Sequence, residues 1–180
     1  MSLYWKPLYK YLRVVQGRSK SDAEFLTRGF LKYAPHATRR NARHLLDSYI
    51  LSDHTRAVRG EKFDVIEAER EIAHEVRTVL SPDEYLDREW SKNLFTIAVE
   101  RLRDSSRAGD FALFETYDLN DIRSMSYRTI GERLNDSSES RLAKIRRQFR
   151  QILLQVLRES VESDDEYLAE ARALLGIEAL

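Results

Sequence analysis

The chain contains no cysteine, which excludes disulfides, thiolate zinc sites and cysteine nucleophiles. Only 6 glycines and 3 prolines occur among its 180 residues, too few turn residues for an all-β fold of many short strands. No apolar run approaches the roughly 20 residues of a membrane span. Residues 1–6 also lack the apolar core of a signal sequence. We therefore expect a helix-rich protein of the cytoplasm that does not contact a membrane.

An excess of charge of either sign is also lacking, because 30 basic residues balance 30 acidic ones. The charges are nevertheless segregated along the chain. Residues 1–60 carry 12 basic and 4 acidic side chains, residues 61–120 carry 8 and 15, residues 121–158 carry 9 and 4, and residues 159–180 carry 1 and 7. A polyanionic partner is therefore expected to contact the first and third segments and to avoid the second.

Apolar residues at helical spacing predict three helices near the N-terminus. The first covers residues 4–15, the second begins at a capping box formed by Ser21 and Glu24, and the third covers residues 39–59. Three helices joined by short loops are typical of a small bundle, to which we assign residues 1–60.

The next segment, residues 61–80, is acidic and has only a weak apolar face, so we predict a linker there. Ser81, Pro82 and Glu84 then mark a helix start, because serine caps a helix, proline suits its first position and glutamate its third. This helix opens a predicted C-terminal domain of residues 81–165.

A helix-turn-helix pattern lies within that domain. A short helix is predicted at residues 127–134 and a polar turn at residues 135–138, and a long basic helix then carries apolar residues at three-and-four spacing from Leu142 to Val156. Residues 166–180 form an acidic tail. The predicted fold class is all-α, with two small helical domains joined by an acidic linker.

The helix-turn-helix pattern has two interpretations. Its second helix either enters the major groove of DNA, with arginines and lysines on phosphates, or belongs to an ordinary helix pair with a solvated charged face. The aromatic residues of the basic N-terminal segment also have two interpretations: they stack on unpaired bases, or they pack in the hydrophobic core. The sequence has no glycine-rich phosphate loop and no arrangement typical of a catalytic triad, so we do not expect an enzyme.

A resemblance to a known family centres on residues 126–134, with the sequence SYRTIGERL. They resemble the fourth conserved region of bacterial sigma factors, most closely of the extracytoplasmic-function type, in which a Ser-Tyr-x-x-Ile-x-x-Arg-Leu string is common. Residues 90–103 and 109–114 look like the helices that precede that motif in one subgroup. Residues 4–13 are similar to the start of that subgroup's second conserved region, and residues 22–30 to its polymerase-binding helix.

The resemblance implies a non-catalytic transcription initiation protein that binds core RNA polymerase and promoter DNA and needs no cofactor or metal. An anti-sigma regulator is a further partner that it suggests. The residues that it implies for DNA binding are Arg39, Arg40, Arg43, Arg56, Arg59, Arg128, Arg141, Lys144, Arg146, Arg147 and Arg150. The residues that it implies for polymerase binding are Asp22, Glu24, Leu26 and Phe30.

Two departures from the family leave an alternative open. The family has an acidic residue at the position of Phe25, and the segment of residues 31–38 is shorter than its counterpart. The alternative is a degenerate sigma-like helical module that binds a protein regulator without recognising a promoter. A third hypothesis, a bundle metalloprotein, depends on Glu71 and His74, which form one Glu-x-x-His unit where di-iron bundles use two.

Overall fold

The computed structural model describes residues 4–35, 37, 39, 41–52, 64–75, 80–119 and 141–175. All regular structure in these residues is helical and none of it is strand, so the all-α prediction is confirmed. No helix in this part of the chain is both long enough and apolar enough to cross a membrane. The α-helices are α1 (Trp5–Val14), α2 (Lys20–Tyr33), α3 (Ala42–Leu51), α4 (Ile66–Ala73), α5 (Pro82–Ser105), α6 (Ala108–Phe114), α7 (Arg141–Glu159) and α8 (Asp164–Leu175), and a π-helical turn (Glu115–Leu119) follows α6.

The chain divides into two compact units, unit 1 (Met1–Asn93) and unit 2 (Leu94–Leu180). This division lies inside α5, whereas the sequence predicts a linker at residues 61–80 and a second domain that begins at residue 81. The first turns of α5 belong to unit 1 because their acidic side chains form ion pairs with basic residues of α1, of α3 and of the segment before α3.

Capping hydrogen bonds determine where α2 and α5 begin. The Ser19 hydroxyl accepts a hydrogen bond from the backbone N–H of Asp22 (3.1 Å), so α2 begins earlier than the predicted capping box at Ser21. The capping box predicted for α5 is present. The N–H of Ser81 donates to the Glu84 carboxylate (2.8 Å), and the N–H of Glu84 donates to the Ser81 hydroxyl (3.3 Å). Both caps satisfy donors that the first helical turn leaves unpaired.

Unit 1 has a core formed by the apolar faces of its first three helices, as their residue spacing predicts. The large side chains that are almost completely buried there are Leu8, Tyr9, Leu12, Phe30, Leu46 and Tyr49. Helix α3 covers only part of the predicted range of residues 39–59, and residues 53–63 lie outside the described residues. The burial of Tyr9, Phe30 and Tyr49 favours the core interpretation over base stacking for these three residues.

Helix α4 lies in the segment predicted to be a linker, and ion pairs hold it on α1. Lys6 contacts Glu67 (3.3 Å) and Glu71 (2.5 Å), and Arg13 contacts Glu69 (2.7 Å). The helix itself buries little apolar surface. The linker prediction treated the acidic residues as solvated, and it missed the α1 cations that compensate them.

Lys10 of α1 is a buried cation at the junction of three helices. Its side chain is 3% exposed and contacts Glu89 of α5, which is 2% exposed, and Glu71 of α4 at 3.2 Å. Burial raises the pKa of Glu89, but hydrogen bonds from Lys10 and Lys92 outweigh it and hold that pKa below the ordinary value of 4.5. Glu89 is therefore ionised at neutral pH, and its charge depends on these partners.

Unit 2 has an aromatic core between α5, α6 and α7. The ring of Phe149 lies 6.1 Å from that of Phe95 and 4.9 Å from that of Phe114, centroid to centroid. Helix α8 packs on α7 and buries Leu174. Much of the predicted tail, residues 166–180, is therefore part of a packed helix, because apolar residues recur at helical spacing among its acidic ones.

Replacing Lys10 with methionine should lower the free energy of unfolding by about 3 kcal/mol, because the buried Glu89 then loses its buried cation. Lys92→Met is the matched control. Lys92 contacts the same carboxylate at 2.9 Å but is 52% exposed, so its loss should stay below about 1 kcal/mol. Urea denaturation followed by circular dichroism measures both. Equal losses of unfolding free energy in the two variants would contradict the conclusion that the buried Lys10–Glu89 pair stabilises unit 1 more than the exposed contact does.

Candidate nucleic-acid interface

Helix α7 is amphipathic, and its exposed side carries cations. The buried residues of this helix are Ala143, Ile145, Arg146, Phe149, Leu153, Val156 and Leu157. On the opposite side Lys144, Arg147 and Gln151 are exposed, at spacings of three and four residues. At 3.6 residues per turn these three side chains form one stripe along the helix. We call Arg141, Lys144, Arg147 and Arg150 the basic face of α7.

The cations of the basic face differ in their internal partners. Arg141 donates two hydrogen bonds to Asp110 of α6, at 2.5 and 3.0 Å, and remains well exposed. Arg147 is exposed and Arg150 is half-buried. Neither Lys144 nor Arg150 forms an ion pair with any residue that the structure describes. Two charges of the face are therefore open to an anionic ligand.

Arg146 is a correction to the predicted DNA-binding set. Its Nε and Nη2 donate to the two carboxylate oxygens of Asp118, at 2.9 and 2.8 Å, and both residues are buried. Arg146 therefore cannot reach a phosphate while unit 2 is folded. Its position indicates this, because it follows Ile145 directly and lies three residues before Phe149, on the apolar side of α7.

The Arg146–Asp118 pair anchors the π-helical turn to α7. That turn, Glu115–Leu119, ends immediately before residues 120–140, which lie outside the described residues. The first helix of the predicted helix-turn-helix falls in this segment, together with Arg128. Three further predicted DNA-binding residues, Arg40, Arg56 and Arg59, also fall outside the described part of the chain.

In unit 1, two predicted DNA-binding arginines are paired with acidic residues of α5. Arg39 contacts Asp87 (3.0 Å), and its guanidinium lies over the Trp90 ring, 5.5 Å from the centroid. Arg43 forms an ion pair with Asp83. The hydrogen bond from its guanidinium to this carboxylate raises the pKa of Arg43 above its ordinary value. Both arginines are therefore neutralised within the fold.

The predicted polymerase-binding residues of α2 separate into buried and exposed ones. Leu26 and Phe30 are buried in the unit 1 core, which corrects their assignment as contact residues. Asp22 is exposed, and Glu24 is half-buried and paired with an arginine of the same helix. Phe25 is 41% exposed on that side of α2. The spacing of Leu26 and Phe30, four residues, already indicated a shared core face, which leaves Phe25 outside it.

Glu71, on which the metalloprotein hypothesis depends, is engaged in ion pairs. It contacts Lys6 and Lys10 of α1 rather than His74. Among the residues that the structure describes, no group of three or more histidine, aspartate and glutamate side chains is arranged to hold a metal ion. Glu71 therefore serves the packing of α4 on α1.

The chemistry that these sites offer is electrostatic binding of an anion, mainly at the basic face of α7. No family model matches the chain, and no curated protein or solved structure matches it either. The basic face, the neutralised arginines of unit 1 and the exposed side of α2 are therefore the features from which function is inferred.

Arg146→Met should lower the free energy of unfolding by about 3 kcal/mol, because the buried Asp118 carboxylate loses both hydrogen bonds from the Arg146 guanidinium. Arg147→Met, at the next position but exposed, should change it by less than about 0.5 kcal/mol. Adding Asp118→Leu to Arg146→Met should restore part of the loss, because the pair is then removed as a whole. Urea denaturation compares the three variants, and similar losses for the two arginines would contradict the assignment of Arg146 to the interior.

Proposed function

We propose that this chain is a sigma-factor-like transcription initiation protein of the cytoplasm, which binds core RNA polymerase and promoter DNA and catalyses no reaction. The observation that carries the proposal is the basic face of α7. Its exposed cations Lys144 and Arg147 lie on a helix that follows the sigma-like sequence of residues 126–134. A cationic helix in that position is the expected second helix of a helix-turn-helix.

Phosphate groups are the ligand that the basic face suits best. Long cationic side chains on one helix reach neighbouring phosphates, and each contact releases counterions, which makes the affinity depend steeply on salt. At Lys144 and Arg150 no described carboxylate has to be displaced first. At Arg141 a phosphate has to replace Asp110, whose ion pair is exposed and therefore weak.

For polymerase binding, we assign the contact to the exposed side of α2. Asp22 and Phe25 are exposed there, while Leu26 and Phe30 support the helix from the core. Aromatic side chains are enriched in protein-binding surfaces, and polar groups surround them at the rim. The aromatic residue at position 25 is then a contact residue of its own, in place of the acidic one that the family has.

A second candidate function is the sigma-like module that binds a protein regulator without recognising a promoter. The neutralised state of Arg39 and Arg43 favours it, because those arginines are the DNA contacts implied for unit 1. The exposed Phe25 is compatible with both candidates. DNA binding by the purified chain separates them.

The salt dependence of DNA binding tests the proposal. We expect the slope of log Kd against log salt concentration to fall by about one for Lys144→Gln and by about one for Arg147→Gln, because each variant loses one phosphate contact. Fluorescence anisotropy with a labelled DNA duplex measures the slope.

Arg158→Gln is the control on the same helix. It removes the same charge from the exposed side of α7, but Arg158 is already paired with Asp164 at 2.7 Å. We expect a smaller change in slope for this variant. An unchanged slope in the double variant of Lys144 and Arg147 would contradict the proposal. A chain that binds no DNA but forms a complex with core polymerase or another protein would favour the second candidate.

A further inference from the structure

Two partly exposed ion pairs in unit 1 occupy arginines that the proposed function assigns to DNA. Arg43 pairs with Asp83, and Arg39 pairs with Asp87 at 3.0 Å. The aspartates are four residues apart on the first turns of α5, so they lie on the same side of that helix. The side chains of Asp83 and Asp87 are 64% and 48% exposed, whereas those of Arg43 and Arg39 are 26% and 20% exposed, so water and salt reach both pairs from the aspartate side.

These pairs differ physically from the buried pair between Lys10 and Glu89. A fully buried charge that loses its partner stays in the interior, whereas the carboxylate of a partly exposed pair is screened by salt and can be replaced by an anion from solution. Arg39 and Arg43 can therefore exchange aspartate for another anion while unit 1 stays folded. The Arg39 guanidinium lies over the Trp90 ring, and it keeps this contact when another anion replaces the Asp87 carboxylate.

We propose that Asp83 and Asp87 inhibit DNA binding by unit 1, because they hold Arg43 and Arg39 in place of backbone phosphates. The inference rests on the proposed function and adds to it a regulation within the chain. Any event that neutralises or displaces the two aspartates removes one carboxylate from each arginine, and a phosphate can take its place. Asp47 stays 3.6 Å from Arg43. The basic face of α7 does not depend on this release, so the two surfaces can be tested separately.

Neutralising the two aspartates tests the inference. In the full chain, Asp83→Asn together with Asp87→Asn should tighten binding to a labelled DNA duplex with a central unpaired bubble by about threefold to tenfold at low salt. The gain should shrink as salt is added, because phosphate contacts weaken with ionic strength. Each substitution is also measured alone, with a thermal melt, so that a folding defect in the double variant does not decide the result.

The matched control is Glu100→Gln together with Asp104→Asn. These residues lie on the same helix, with the same spacing and the same exposed character, and their replacement changes the net charge equally. We expect only a small change in affinity from them. An equal gain from both double variants would overturn the inference, because net charge alone would then explain it.

Arg43→Gln identifies the cation that is released. It should have little effect in the otherwise unchanged chain and should remove most of the gain in the Asp83→Asn background. No gain from the aspartate variants, with a salt slope that still responds to Lys144 and Arg147, would overturn the inference and leave the proposed function standing. Absence of DNA binding by every variant would overturn both.

Discussion

Lys10 brings a positive charge into the interior of unit 1, and the packing around it depends on how that charge is compensated. Glu89 of α5 and Glu71 of α4 provide the compensation. Helix α4 buries little apolar surface, so ion pairs hold a segment that hydrophobic burial alone would not. The same pairing brings the start of α5 into unit 1, and with it Asp83 and Asp87. The charge pattern of the fold therefore determines which cations remain available to a partner.

In unit 2, a carboxylate also compensates a buried cation, and other cations of the same helix stay exposed. Arg146 is buried with Asp118 and fixes the π-helical turn on α7, whereas Lys144 and Arg147 on the other side of the helix stay exposed. One helix thus carries a buried, structural cation, and exposed cations lie two residues or less away from it. Burial and pairing, rather than charge itself, separate the two roles.

The helical class and the capping box at Ser81 were predictable from the sequence, because they depend on residue spacing and local hydrogen bonds. The exposed stripe of α7 was predictable for the same reason. The burial of Arg146 was predictable from its position in the helix. The partners of α4 and of Arg146 were not, because they lie far away in the chain: Glu69 pairs with Arg13, and Asp118 with Arg146. Local patterns carry no information on such pairing, so the acidic segment was predicted to be a linker, and the resemblance implied a DNA contact at Arg146.

Binding to purified core RNA polymerase tests the central claim most directly, because a sigma-like protein has to form that complex whatever promoter it reads. Mass photometry of the polymerase mixed with the full chain at about micromolar concentration measures it. We expect an equimolar complex, and we expect Phe25→Asp to weaken it, since Phe25 is exposed on the proposed contact surface of α2. Polymerase that remains free in the presence of folded chain would contradict it.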